Sequence, residues 1–396
     1  MLNPAPSEQA LASAPDSHAK PTACIALADG TIYYGKGFGA TGIAVAELCF
    51  NTSMTGYQEI MTDPSYAGQI ITFTFPHIGN TGTTPEDDET HSPIAAGMVV
   101  KWDPTTPSSW RSVQTLAAWL KQHNRIGIGG VDTRRLTRSI RMQGAPHVAI
   151  QHAEDGVFDI DLLLEKARGF NGIEGMDLAK EVTCDAAYRW DEMRWAWPDG
   201  YTGQSKNGYR VVAIDYGAKR NILRCLASAG CSVTVLPATA TADEILALKP
   251  QGLFLSNGPG DPAATGEYAV PMIHEILERS DMPIFGICLG HQMLALALGA
   301  KTLKMNHGHH GANHPVKEIS TGKVEITSMN HGFAVDSQSL PDGVLETHIS
   351  LFDGSNCGIR MADRPVFSVQ HHPEASPGPQ DSFYLFERFV AAIAAR

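Results

Sequence analysis

Long apolar runs are missing from this 396-residue chain: none approaches the eighteen or so residues of a membrane-spanning helix, which argues against a membrane protein. Blocks of basic residues are missing too. With 30 Lys and Arg against 42 Asp and Glu, the formal charge of -12 repels phosphate backbones and disfavours a nucleic-acid partner. The opening "MLNPAPSEQALASAPDSHAK" lacks the basic n-region and apolar h-region of a secretory signal, and its Pro, Ser and Ala content reads as a disordered tail over residues 1–20. Cysteine is sparse: Cys24, Cys49, Cys184, Cys225, Cys231, Cys288 and Cys357 are odd in number, scattered, and contain no CxxC pair. That pattern does not fit a disulfide framework and points to reduced thiols in the cytoplasm. No G-x-x-x-x-G-K-[ST] loop occurs, since "STGKVE" at 320–325 lacks both the earlier glycine and the hydroxyl residue.

What is present suffices for real cores, with 43% hydrophobic and 18% charged residues. At about 150 residues per domain the length allows two or three. Residues 21–182 form the first unit. Its strand-like, Gly-rich segments ("ACIALADGTIYYGKGFG", "AVAELCFNTS", "GQIITFTFPHIG", "AAGMVV") are interrupted by a helical "SVQTLAAWLKQHN" and followed by a helical "DIDLLLEKARGF". Residues 183–208 form a connector with Trp190, Trp195 and Trp197, three of the six tryptophans, read as draped on a surface. From 209 to 396 the rhythm becomes strand, helix, strand: "YRVVAIDYG", "AKRNILRCLASAG", "CSVTVLPA", "TADEILALK", "QGLFLSN", "GEYAVPMIHEILER", "MPIFGIC", "LGHQMLALALGA". Such alternation implies right-handed βαβ units. The expected class is α/β, with a C-terminal open, mostly parallel sheet covered by helices on both faces and a smaller mixed β/α domain before it.

Cys288 stands where a buried strand turns into a helix, within Gly286-Ile287-Cys288-Leu289-Gly290. This is the cysteine form of a nucleophile elbow. Flanking glycines remove Cβ atoms that a sharp turn would not tolerate, and a helix N-terminus favours negative charge on an atom held there. The amide of Leu289 is positioned as an oxyanion donor. A thiol nucleophile also needs a base and an orienter. "QHHPEASPGP" supplies them in His372 and Glu374, two residues apart and so on one side of an extended segment, with His371 facing the other way. In "LFLSNGPGDP", Gly258 and Gly260 present bare backbone at a strand end that should lie beside the elbow. "NHGHHGANH" carries four histidines but matches no zinc-ligand spacing, so no metal is assigned.

Together, "GICLGHQ", "NGPGDP" and "HPE" resemble the class I, or triad, glutamine amidotransferases. More narrowly, "FNTSMTGYQEIMTDPSYAGQIITFTFPHIGN", "GGVDTRRLTR", "DYGAKRNILR", "GHHGANHPV", "NHGFAVD", "SLFDGSNCGI" and "HHPEASPGP" resemble the carbamoyl-phosphate synthase small-chain family, from about Thr22 to the C-terminus. The resemblance implies glutamine hydrolysis by Cys288, His372 and Glu374. It implies that L-glutamine is held by Ser53, Gly258, Gly260, Leu289, Gln292, Asn330, Gly332 and Phe333. It further implies ammonia transfer to a large chain, in a heterodimer or higher oligomer, that uses ATP, Mg and bicarbonate to make carbamoyl phosphate for arginine and pyrimidine biosynthesis. No cofactor is implied on this chain itself. Two other readings stand beside it. An amidotransferase subunit of another synthase would not carry the motifs before residue 150, and a non-catalytic regulatory subunit would usually have lost Cys288 or His372.

Overall fold

In the first third of the chain, alternate strand residues face two different cores, and pairing of the first strand with the last closes the sheet on itself. The computed structural model describes residues 20–203 and 208–396, so the expected tail lies outside the described residues apart from Lys20. Strands β1 (Ala23–Leu27), β2 (Ile32–Gly39), β3 (Gly42–Asn51), β4 (Gln69–Phe73), β5 (Gly97–Val99), β6 (Ile126–Gly129) and β7 (His147–His152) form a closed barrel in the order β1-β2-β6-β5-β4-β3-β7. In β1, Ala23, Ile25 and Leu27 point into the barrel, while Cys24 and Ala26 pack outward on Leu163 and Ala167 of a helix. With both faces covered, β1 reads in sequence as an unbroken apolar run, which hides the closure.

Four helices surround the barrel: α1 (Tyr57–Thr62), α2 (Leu116–Gln122), α3 (Thr133–Gln143) and α4 (Ile160–Arg168). Helix α2 begins at Leu116, later than the sequence suggested, because Thr115 accepts from Ala118 N and caps it. Helix α3 was not foreseen. Its apolar residues are few, but Leu136 and Ile140 lie one turn apart and both enter the barrel core. In the connector, Trp190 is half-buried, while Trp195 and the more exposed Trp197 pack at a tilt against each other and Trp197 meets Trp110 edge-on.

After the short α5 (Ala179–Val182), a ten-stranded sheet contains β8 (Tyr188–Trp190), β9 (Tyr209–Asp215), β10 (Cys231–Pro237), β11 (Gly252–Leu255), β12 (Ile284–Ile287), β13 (Thr302–Glu318), β14 (Val324–Val335), β15 (Val344–Ser350), β16 (Asn356–Met361) and β17 (Val366–Val369). The order is β14-β13-β15-β16-β17-β12-β11-β9-β10-β8. Strands β10, β9, β11, β12 and β17 pair in parallel, and the strand-rich remainder extends this core with antiparallel pairings. Along β9, Val212 and Ile214 face one core while Val211 and Ala213 face the other. Helices α7 (Ala242–Ala247), α8 (Pro262–Arg279) and α9 (Leu289–Ala297) cover the first face; α6 (Arg220–Ser228) and α10 (Tyr384–Ala394) cover the second. Helix α8 starts at Pro262 rather than Gly266, since Asp261 caps it and proline suits the first helical position. Among the described residues no helix is long and apolar enough to cross a membrane.

Candidate active site

Cys288 follows β12 at the carboxyl end of the parallel core and is the N-cap of α9. Its backbone sits at φ 54°, a left-handed region that costs a non-glycine residue about 1–3 kcal/mol and recurs at functional sites. Neighbouring contacts hold the strain in place. A Cβ on Gly286 would lie 2.6 Å from the Gly290 carbonyl oxygen, and one on Gly290 would lie 2.2 Å from that of Leu255. Cys288 N donates to Val369 O at 2.9 Å, and Gly290 N to Ser256 O at 2.9 Å, so strands on both sides fix the elbow. Cys288 is 2% exposed, and its sulfur donates to the backbone carbonyl of Asn330 at 3.5 Å.

His372 and Glu374 do not lie in a continuing strand. Strand β17 ends at Val369, and a turn closed by Ala375 N to His372 O (3.1 Å) brings Glu374 back under the imidazole. Glu374 Oε1 meets His372 Nδ1 at 2.7 Å. Ala375 and Ser376 take φ 57° and 59°, so strain accumulates on this turn as well. Burial would keep His372 neutral, but the Glu374 charge and the Cys288 sulfur beside the ring outweigh it and raise the imidazole pKa. For Glu374 burial raises the pKa, yet the charges of Lys219 and His372 prevail and lower it. Nε2, the ring nitrogen that Glu374 leaves free, has no hydrogen-bond partner among the described residues.

Histidine 371 is separated from this array. It is fully buried, its ring nitrogens have no hydrogen-bond partner among the described residues, and its ring packs edge-on against His348 at 5.5 Å. Burial, reinforced by the neighbouring histidines, holds its pKa well below the usual value, so it stays neutral.

Two small cavities adjoin the sulfur and the imidazole. The first, about 30 Å³, is lined by Cys288, Gly258, Gly260, Gln292, Asn330, Gly332 and Phe333, six of the eight residues expected to hold glutamine. Ser53 is not among them; it lines a second space of about 20 Å³ with His372, and Asn330 borders both. Leu289 lines neither, though its amide directly follows the sulfur at the start of α9. Backbone crowding explains the glycines of "NGPGDP": a Cβ on Gly258 would lie 2.2 Å from Tyr216 O, and Gly260 adopts φ 90°. Gln292 Nε2 donates to Phe333 O and Gln370 Oε1, both at 2.9 Å. The histidine-rich "NHGHHGANH" is part of β13; His309 bonds Asp353 and His310 bonds Asn330, each at 2.9 Å. Among the described residues no group of three or more His, Cys, Asp or Glu is arranged to hold a metal ion.

Residues 25–150 match the family model described as carbamoyl-phosphate synthase small chain, CPSase domain, and residues 212–392 match glutamine amidotransferase class-I. The carbamoyl phosphate synthase small chain of Ruegeria pomeroyi is 76% identical over 377 residues, covering 95% of this chain and 97% of that one. That of Rhizobium meliloti is 62% identical over 380 residues, covering 94% of each. The chain belongs to the carbamoyl phosphate synthase small chain family.

One residue of this small chain that sequence reasoning passed over is Lys219. It is 3% exposed, bonds Glu374 Oε1 at 3.0 Å, and donates to Ala375 O at 2.7 Å. Asn221 adds a bond from Nδ2 to Glu374 O at 2.7 Å. A cation in the turn between β9 and α6, at the carboxyl ends of the strands, was the available signal. Lys219 is a positioning residue, since it meets the carboxylate and not the sulfur.

Lys219→Met is expected to cost about 3 kcal/mol of stability at pH 7, because a buried charge loses one of its two partners. The sign with pH follows from Glu374, whose folded pKa is lowered. Its charge contributes stability above the unfolded carboxylate value, near 4.3, and that contribution is lost as pH falls through the folded value. The gap between wild type and variant should therefore shrink below about pH 4. Urea denaturation at pH 7 and pH 3 measures it, and an equal gap at both would show that Lys219 acts by packing alone.

Proposed function

We propose that Cys288, His372 and Glu374 make this chain the glutamine-hydrolysing subunit of a carbamoyl-phosphate synthase. The observation that carries the reading is the 2.7 Å bond from His372 Nδ1 to Glu374, with the cysteine sulfur beside the same ring. The thiol proton passes to His372 Nε2, and the sulfur attacks the side-chain carboxamide carbon of glutamine. The oxyanion that forms is stabilised by backbone amides at the elbow and the Gly258–Gly260 turn. His372 returns the proton to the leaving nitrogen, the C–N bond breaks, and ammonia departs from a glutamyl thioester. Water, deprotonated by His372, then cleaves the thioester to glutamate and restores the thiol. Glutamine itself is held by Ser53, Gly258, Gly260, Leu289, Gln292, Asn330, Gly332 and Phe333.

Ammonia released here serves a large chain, which supplies the ATP, Mg and bicarbonate chemistry; the product feeds arginine and pyrimidine synthesis. A cytoplasmic setting goes with this reading, as the odd number and scatter of the cysteines in the sequence suggest. The two cavities, about 30 and 20 Å³, leave room for about one water each, so glutamine enters only when the covering segments part. Glutaminase turnover of the free chain is therefore expected to be low and to rise on the order of tenfold or more with the large chain, ATP and bicarbonate present. Measuring turnover of the purified chain with and without the large chain tests this. A free chain as fast as the pair, or one that does not co-purify with it, overturns the coupling.

A further inference from the structure

Helix α3, "TRRLTRSIRMQ", turns Leu136 and Ile140 into the barrel and leaves Arg134, Arg138 and Arg141 exposed, four and three residues apart and so along one face. With Lys101, Met142 and His307 they line an open cavity of about 750 Å³ on the seam between the barrel and β13. Its lining contains no Asp or Glu. None of the three arginines, nor Lys101, forms an ion pair among the described residues. Four unpaired cations therefore concentrate on one surface of a chain whose formal charge is -12.

The composition of the face narrows what it binds. Met142 is 77% exposed and Trp102, under the Lys101 ammonium at 5.6 Å, is 42% exposed. Arg, Met and Trp together are the residues enriched at the centres of protein interfaces. From Arg134 to Arg141 the row extends roughly 10 Å along the helix, longer than one phosphate group. The face is also tied to the reaction centre. Ala145 N, just beyond α3, donates to Asn306 O at 3.3 Å, and His307 stacks on Phe50 at 6.2 Å. Farther along the same two strands, Thr52 N donates to His310 O at 3.3 Å, and His310 bonds Asn330, whose carbonyl accepts from Cys288.

We infer that the Arg134, Arg138 and Arg141 face of α3 is a docking surface for an acidic patch of the large chain. The inference rests on the reading that a large chain is the partner. Charge complementarity makes the association fast and salt-sensitive, and the exposed Met142 and Trp102 supply apolar contact area.

The test compares wild type with Arg134→Gln/Arg138→Gln/Arg141→Gln, substitutions that keep helix propensity. Glutaminase activity and thermal melting of the free chain should be unchanged. Affinity for the large chain, titrated between 50 and 300 mM NaCl, should fall on the order of tenfold or more in the variant at low salt, and its salt dependence should flatten. Equal affinity and equal salt slopes would overturn the inference while leaving the partner reading intact. A wild-type chain with no affinity for the large chain would instead remove the partner reading itself. Binding of pyrophosphate by wild type but not by the variant, with association unchanged, would make the face a small-anion site and overturn it too.

Discussion

Cys288→Ser removes glutamine hydrolysis, by about 10³-fold or more, while synthesis from added ammonia by the assembled pair persists. The substitution changes one atom. The elbow, its φ of 54° and the hydrogen bond from its amide to Val369 O all remain, so melting should be little altered. What changes is acidity. The hydroxyl is far harder to ionise than the thiol, and the same imidazole does not generate a comparable nucleophile from it. On the proposed reading, ammonia-dependent synthesis draws on the large chain's chemistry and is indifferent to the exchange. Assaying both reactions on one preparation decides the matter, and a serine variant that still hydrolyses glutamine at a substantial rate removes Cys288 from the role of nucleophile.

His372→Asn is expected to match that loss, whereas His371→Gly should leave glutaminase within roughly tenfold of wild type. The adjacent rings differ in surroundings. His372 is anchored by Glu374 at 2.7 Å and stands at the sulfur; His371 packs on His348 and bonds neither. Asparagine removes the proton carrier and leaves Glu374 paired with Lys219 at 3.0 Å, so the fold keeps a counter-charge. Glycine at 371 empties a packed site, and its cost falls on stability, about 1–3 kcal/mol, through lost packing. Glutaminase turnover and melting temperature of the two variants separate these effects. If the His371 variant were dead and the His372 variant active, the assignment of the base would be reversed.

Much of the sheet was legible because its signals are local. Each strand of the parallel core is an apolar run bounded by a turn, and the helices after β10 and β11 carry their own caps, Thr241 and Asp261. The elbow was legible for the same reason: Gly286, Cys288 and Gly290 are within five positions, and the crowding that demands the glycines arises in that turn. The relation of His372 to Glu374 was anticipated from spacing, but the geometry behind it is a turn and not a strand. Residues 371 to 374 leave the sheet, and His371 separates from its neighbour because that turn presents their rings to different surroundings.

What tertiary structure alone decided depends on contacts far apart in the chain. The pairing of β7 with β1 closes the barrel across some 120 positions, and nothing within either strand encodes its partner. Lys219 meets Glu374 from 155 positions away, through a turn whose own sequence has no need of that carboxylate. The arginines of α3 lie in a segment whose helix the sequence did not reveal. They become a single unpaired basic surface only when Lys101 and His307 are folded beside them. By itself the sequence indicated which residues could do chemistry and, for Cys288, the strand and helix that would carry it. Folding decided which charges are buried together, because that depends on burial and distance, and neither is a property of neighbours along the chain.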